Sequence, residues 1–196
     1  LKDLQAFLGT VNYVRPHMGP TYARVAAPVK DLLKQVAVFP PNEKQLEALE
    51  KLKDLIVEAH VLAVPDEAAA IAAANAWLAG EPATGRPYEV GADTSGYAIG
   101  GVTGQCSKEK GKLVILLYSS AHLSQSQQSW HLFEQEFWGL LNTNREKNKQ
   151  LGRIPAIVHT DHANIARLES IPVQRIEAKH YRWYTEITGD GSKLIH

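Results

Sequence analysis

Three acidic residues stand where a carboxylate can do chemistry: Asp93, Glu136 and Asp161. Asp93 closes the stretch Tyr88-Glu89-Val90-Gly91-Ala92-Asp93, whose side chains alternate with the period of two expected of a strand. The turn Thr94-Ser95-Gly96 follows, and Tyr97 to Gly101 reads as a second strand returning. Asp161 closes another strand-like stretch, Ala156-Ile157-Val158-His159-Thr160-Asp161. Between them a helix is expected from about His131 to Glu146, with Phe133, Phe137, Leu140, Leu141 and Asn144 on one stripe. Glu136 borders that stripe, where a carboxylate can reach over a sheet edge without full burial. If the two strands are parallel neighbours, their ends fall on one edge, the place where open α/β sheets put their sites. Three carboxylates there repel one another, and without a cation at least one would hold a proton. An oxygen-only donor set suits hard divalent ions such as Mg²⁺ or Mn²⁺. Two such ions ~4 Å apart can activate a water and stabilise the leaving oxygen in phosphodiester cleavage.

Other constellations carry less. Asp93-Thr94-Ser95-Gly96 shares letters with the Asp-Thr-Gly turn of aspartic proteases, but a serine intrudes and the helices on both sides do not suit an all-β protease. His159, Asp161 and His162 offer zinc ligands without the further His or Cys cluster that such sites use. His159 is expected on a sheet face, and His162 lies beside the acidic edge. The single cysteine, Cys106, excludes an intrachain disulfide. Lysine plus arginine and aspartate plus glutamate each number 21, so the net charge is zero and any basic nucleic-acid surface must be local. Arg145, Lys147 and Lys149 form one such cluster after the long helix. It reads equally as a backbone-binding handle and as cations answering the helix dipole. Arg182 is a further candidate contact, beside Trp183, which is expected in the core. No apolar run reaches the ~18 residues of a membrane span, and no signal peptide is recognisable, so an intracellular protein, cytoplasmic or nuclear, is expected. The chain begins at Leu1 and its only methionine is Met18, which suggests a piece of a longer polypeptide.

The elements fall into three stretches. In residues 1–66, Leu1, Leu4, Leu8 and Val11 recur at helical spacing, with Phe7 and Val14 beside them, and Arg15-Pro16 stops the helix. A second helix is expected from about Tyr22, with Val25, Val29, Leu32 and Leu33 on one face, before Phe39-Pro40-Pro41. Asn42 with Gln45 forms a capping-box pattern for a third helix to about Ala59. Val61 to Val64 reads as a short extended piece. Lys44, Lys51 and Lys53 read as solvated charges. Residues 67–86 are alanine-rich, strongly helix-prone, and closed by Gly80, Pro82 and Gly85; they are expected to link two units, with Trp77 tacking the helix to a neighbour. In residues 87–196 the order βββαβα, then α and a last strand at Lys193 to His196, implies an α/β fold: a mixed sheet with flanking helices.

Several motifs resemble a known family. Leu4-Gln5-Ala6-Phe7-Leu8-Gly9 through Asn12-Tyr13, Ala27-Pro28, Asp31-Leu32-Leu33-Lys34, Leu49 to Lys53 and Val61 to Asp66 resemble the end of the reverse transcriptase of gypsy-type LTR retrotransposons. The second half is similar to the ribonuclease H domain that follows in that polyprotein. Its marks are Ala92-Asp93-Thr94-Ser95-Gly96-Tyr97, Leu123-Ser124 to Trp130, Phe133-Glu134-Gln135-Glu136, Leu151-Gly152-Arg153, His159-Thr160-Asp161-His162 and Tyr181-Arg182-Trp183. The resemblance implies a helical connection segment (1–66), a linker (67–86) and a C-terminally truncated ribonuclease H-like domain (87–196). It implies catalytic and metal-binding roles for Asp93, Glu136 (rather than Glu134) and Asp161, with two Mg²⁺ or Mn²⁺ ions. The implied reaction is hydrolysis of the RNA strand of an RNA–DNA hybrid, leaving a 3′-hydroxyl and a 5′-phosphate, with the RNA read through its 2′-hydroxyls. The implied partners are that hybrid and the upstream polymerase domain of the same polyprotein, with no membrane.

The chain departs from the family pattern in places. The family's fourth aspartate, in a helix after the last strand, has no counterpart before His196, and Asp190 is misplaced for it. Trp138-Gly139 replaces a small aliphatic pair, and glycine in mid-helix costs ~1 kcal/mol against alanine. The alanine-rich linker is longer than usual. The polymerase palm is absent, so polymerase activity is not expected. The alternative is a domesticated retroelement piece, catalytically weak or inactive, kept as a structural or nucleic-acid-binding subunit of a larger assembly.

Overall fold

The computed structural model describes residues 4–5, 7–8, 11–12, 15, 18, 21–33, 40–57, 62–82, 84–108 and 111–196. The expected roles of Leu1, Val14, Pro16 and Phe39, the third helix beyond Val57, and Val61 lie outside the described residues. Helices α1 (Tyr22–Asp31) and α2 (Glu43–Val57) lie ahead of the alanine-rich stretch. The capping box starts α2 as expected. Gln45 N–H donates to Asn42 Oδ1 and Asn42 N–H to Gln45 Oε1, both at 2.9 Å. The helical stripe then buries Ala48 and Leu52 against Tyr22, Ala26 and Val29 of α1, with Leu8, Val11 and Met18 completing this small core.

The alanine-rich stretch folds as α3 (Glu67–Leu78), capped by Asp66, which accepts from Ala69 N–H. Its start is tied to the sheet. Ala70 lies in the main core, and Arg86 N–H donates to Ala69 O. The buried Gln105 amide donates to Asp66 O and Arg86 O and accepts from Asp66 N–H. Asp66 and Arg86 form an ion pair across the same point. Trp77 tacks the other end of α3 down, with the Lys193 ammonium over its ring, 5.3 Å from the centroid.

The sheet comprises β1 (Tyr88–Thr94), β2 (Ala98–Cys106), β3 (Leu113–His122), β4 (Ala156–His159) and β5 (Lys193–Ile195) in the order β3-β2-β1-β4-β5. The first three form an antiparallel meander; β4 and β5 join in parallel. The helices of this half are the single turn α4 (Gln125–Gln128), opened by a complete Ser124–Gln127 capping box, then α5 (Leu132–Leu151), α6 (Ala163–Ala166) and α7 (Ala178–Thr188). Helix α5 runs beyond the expected Glu146, because Lys147 and Leu151 continue its inner stripe; Gly152, at φ +78°, ends it. The strand expected to reach Asp161 stops at His159. The main core sets Tyr88, Val90, Ala156 and Val158 of the sheet against Phe137, Leu140 and Leu141 of α5 and Trp183 and Ile187 of α7.

The two helical layers take opposite faces. Ser119 Oγ donates to Thr143 of α5, while the next residue, Ser120, accepts from Ala23 N–H of α1 at 2.9 Å. Successive strand residues point to opposite faces, so α5 covers one side of the meander and α1 the other. Among the described residues no helix is long and apolar enough to cross a membrane.

Candidate active site

Strand register brings the two aspartates together. Gly91 of β1 and His159 of β4 are parallel partners. Asp93 and Asp161 each follow two residues later, so both stand at the same end of adjacent strands. Both are exposed. The remaining carboxylate comes from α5, and glycine explains how closely that helix lies. A Cβ at residue 139 would stand well inside contact distance of the Thr94 hydroxyl and 3.7 Å from Ala92 Cβ. A Cβ at Gly101 would collide with Thr143 and Ser119 in the same way. The bare backbone at Gly139 lets α5 settle onto β1 one turn after Glu136, which places that side chain over the strand end. The loss of helix propensity at Gly139 is thus a condition of the approach.

Glu136 is half-buried. Burial, then the neighbouring Asp161 and Asp93 carboxylates, push its carboxyl up to about 7. Its neighbour two residues earlier behaves oppositely. Glu134 accepts from Lys179 Nζ at 2.8 Å and contacts His180 Nε2 at 3.0 Å, and these partners hold its carboxyl below the usual range. The two glutamates therefore divide: Glu134 ties α5 to α7, and Glu136 faces the aspartates. Among the described residues, the one group of three His, Cys, Asp or Glu with ligand atoms within 4.8 Å of one another is Glu134, Glu177 and His180. The Lys179 ammonium already on Glu134 competes with any cation there. Asp93, Glu136 and Asp161 form a more open set of oxygen donors. That chemistry fits a hard divalent ion, which would relieve the repulsion felt by Glu136.

The flanking residues sort by exposure. Lys147 corrects the reading of a basic handle: it is fully buried, its ammonium donates to Ile154 O at 2.6 Å, and burial pushes it down to about 8. An ammonium held inward does not face a phosphate. Arg145 is exposed but engaged with Glu186, through Nε at 2.5 Å and an Nη at 2.8 Å. Lys149 and Arg182 are exposed. Trp183 is buried in the core against Trp130, Trp138 and Phe137. His159 lies on the sheet face, its Nε2 3.0 Å from Glu89 Oε2. His162 packs edge-on to Phe133 at 5.3 Å.

A five-stranded mixed sheet in this order, with helices on both faces and carboxylates at one strand end, defines an RNase H-like fold. The model of the RNase H-like domain found in reverse transcriptases matches residues 83–189, and the chain belongs to that family. Domains of this family generally use divalent metals. Solved structures similar to the chain include the foamy viral protease-reverse transcriptase dRH in complex with double-stranded DNA. The match has a TM-score of 0.70 and 15% identity, and covers 99% of this chain and 31% of that one. The same viral protease-reverse transcriptase in complex with an RNA/DNA hybrid matches with a TM-score of 0.69 and 16% identity, covering 99% and 24%. Its complex with double-stranded DNA matches with a TM-score of 0.66 and 18% identity, covering 99% and 37%. At these identities the likeness establishes the fold. The chain spans about a quarter to just over a third of the length of these proteins. No curated protein matches it in sequence.

Proposed function

We propose that this chain hydrolyses the RNA strand of RNA–DNA hybrids, as the ribonuclease H part of a gypsy-type retrotransposon reverse transcriptase. The observation that supports the reading is the parallel register of β1 and β4, which brings Asp93 and Asp161 to the same end of neighbouring strands, where both press on the Glu136 carboxyl. Asp93, Glu136 and Asp161 would hold two Mg²⁺ or Mn²⁺ ions, which when bound supply activation of water and neutralisation of phosphate charge. Asp93 and Asp161, exposed on the strand ends, are the carboxylates most open to solvent and would hold the ions on the side from which the phosphodiester enters. Glu136 lies deeper, where its raised affinity for a proton suits it to exchange protons near neutral pH before ions are loaded. Attack of water on phosphorus, with departure of the 3′-oxygen, leaves a 3′-hydroxyl and a 5′-phosphate. Residues 1–66 serve as the helical segment joining residues 87–196 to an upstream polymerase domain through 67–86. Lys149 of α5 and Arg182 of α7, both exposed, remain candidates for backbone contact, as does Arg145 once released from Glu186.

The test is incubation of the chain with end-labelled hybrid, duplex DNA and duplex RNA, each with Mg²⁺ or Mn²⁺. Cleavage confined to the RNA strand of the hybrid, with 5′-phosphate ends, is the expected result. A folded protein that leaves the hybrid intact with both ions overturns the reading.

A further inference from the structure

The sheet face that carries Asp93 is not flat. Asp93 of β1, Gly100 of β2 and Ser120 of β3 are register partners in one row, and directly paired residues share a face. Gly91, Val102 and Tyr118 form the next row. Helix α1 sits on this same face and anchors to it through Ala23 and Ser120. Arg24, the next residue, therefore stands at the far end of the row that begins at Asp93. Adjacent strands lie about 4.8 Å apart, so the anchor at Ser120 is about 10 Å from Asp93.

Between these ends lies a groove of about 650 Å³, within the range of ligand sites. Asp93 and Tyr97 form one wall, Thr21 and Arg24 of α1 the other, and Gly100 leaves the floor bare. A second hollow, holding His159, Asp161 and His196, shares Gly91 and Ala92 with it. Asp93 borders the first hollow and Asp161 the second. A glycine in a strand interior weakens the strand and marks places where a ligand approaches closely. Packing does not account for Gly91: a Cβ there would meet only Val102, at an ordinary 3.9 Å. Arg24 is exposed and makes no ion pair or hydrogen bond among the described residues. A guanidinium without a carboxylate partner, facing a groove that opens from the acidic strand ends, has the charge and the forked donors for a phosphate.

We propose that this groove holds the substrate strand as it leaves the carboxylates, with Arg24 binding a backbone phosphate and the Tyr97 ring packing on the neighbouring sugar or base. The inference rests on the hybrid-cleaving reading and gives the helical segment a part in substrate binding, not only in joining units. The occupant is nucleic acid because the groove borders Asp93 of the proposed phosphodiester site and offers the unpaired Arg24 guanidinium across from it.

The experiment compares the full chain with Arg24→Gln and Arg24→Lys in binding a fluorescent RNA–DNA hybrid, with Ca²⁺ replacing Mg²⁺, over a series of salt concentrations. Arg24→Gln is expected to bind about tenfold more weakly and to lower the slope of log K against log salt by about one. Arg24→Lys keeps the slope. Both keep the parent's melting temperature, since no ion pair is broken. Parent-like slope and affinity in Arg24→Gln overturn the inference, leave the hybrid reading standing, and assign the groove to a protein segment. A parent chain that neither binds nor cleaves hybrid overturns both.

Discussion

Replacing Glu136 with glutamine removes a group proposed as catalytic and yet should strengthen the metal-free fold. The carboxyl sits at about 7 in the folded chain against a usual 4.5, because burial, Asp161 and Asp93 all disfavour its charge. The folded value is the higher one, so the sign runs against the familiar case of a paired carboxylate. Below pH 4.5 the group is protonated in both states and costs nothing. Between 4.5 and about 7 the unfolded chain ionises first and stability drains away. Above about 7 the penalty is complete. Each tenfold difference in proton affinity is worth about 1.4 kcal/mol, so the unscreened penalty is about 3 kcal/mol. Glu136 is only half-buried, and solvent screening reduces this to about 1–2 kcal/mol. Glu136→Gln keeps the shape and discards the charge. For a chain of this length each kcal/mol moves the midpoint by about 2–4 °C, so the variant should melt roughly 3–6 °C above the parent at pH 8 in EDTA and match it at pH 4. Thermal unfolding followed by circular dichroism gives the answer. A variant that melts at or below the parent at pH 8 refutes the claim that burial and the two aspartates together disfavour the charge on this carboxyl.

Other perturbations probe the framework. Adding Mg²⁺ should raise the parent's midpoint at pH 8 by several degrees, since ions that bind only the folded state stabilise it; Asp93→Asn should lose most of that rise in the same melts. Gly139→Ala gains ~1 kcal/mol of helix propensity but forces a methyl against Thr94, and overpacking of this kind costs about 1–3 kcal/mol. Urea unfolding should show a small net loss, relieved by adding Thr94→Ala. Gln105→Ala strips the α3 junction of three hydrogen bonds and should cost about 2–4 kcal/mol, with hydrogen exchange of α3 rising most. The buried Lys147 ammonium, held near 8, disfavours folding below about pH 8, and that penalty fades as pH rises towards 10.5. Parent stability measured against Lys147→Met should therefore improve over that window, and a flat difference would exclude a desolvated ammonium.

The elements that carry the proposed acidic site were legible because they depend on local patterns: alternation ending at Asp93, an apolar run ending near Asp161, and a helical stripe beside Glu136. The parallel pairing that joins them could only be inferred as a condition, since register is decided by contacts distant in sequence. The helix in the alanine-rich stretch was legible from its propensity, but the junction that holds its start was not, because Asp66, Arg86 and Gln105 meet only in the fold. Lys147 has the look of a surface charge, and only the run of α5 past Glu146 turns it inward. Gly139 registers in the sequence as a cost in mid-helix; its reason is the Thr94 hydroxyl on another element. Arg24 gave no signal at all, because its neighbour is a strand nearly a hundred residues away.

The most direct trial of the central claim is hybrid cleavage by the parent chain beside Asp93→Asn, with Mg²⁺ and with Mn²⁺, at equal folded concentration. The account predicts RNA-strand cleavage by the parent and its loss in the variant, with hybrid binding in Ca²⁺ retained. Equal cleavage by both proteins would contradict it, because the activity would then not pass through the strand-end carboxylates.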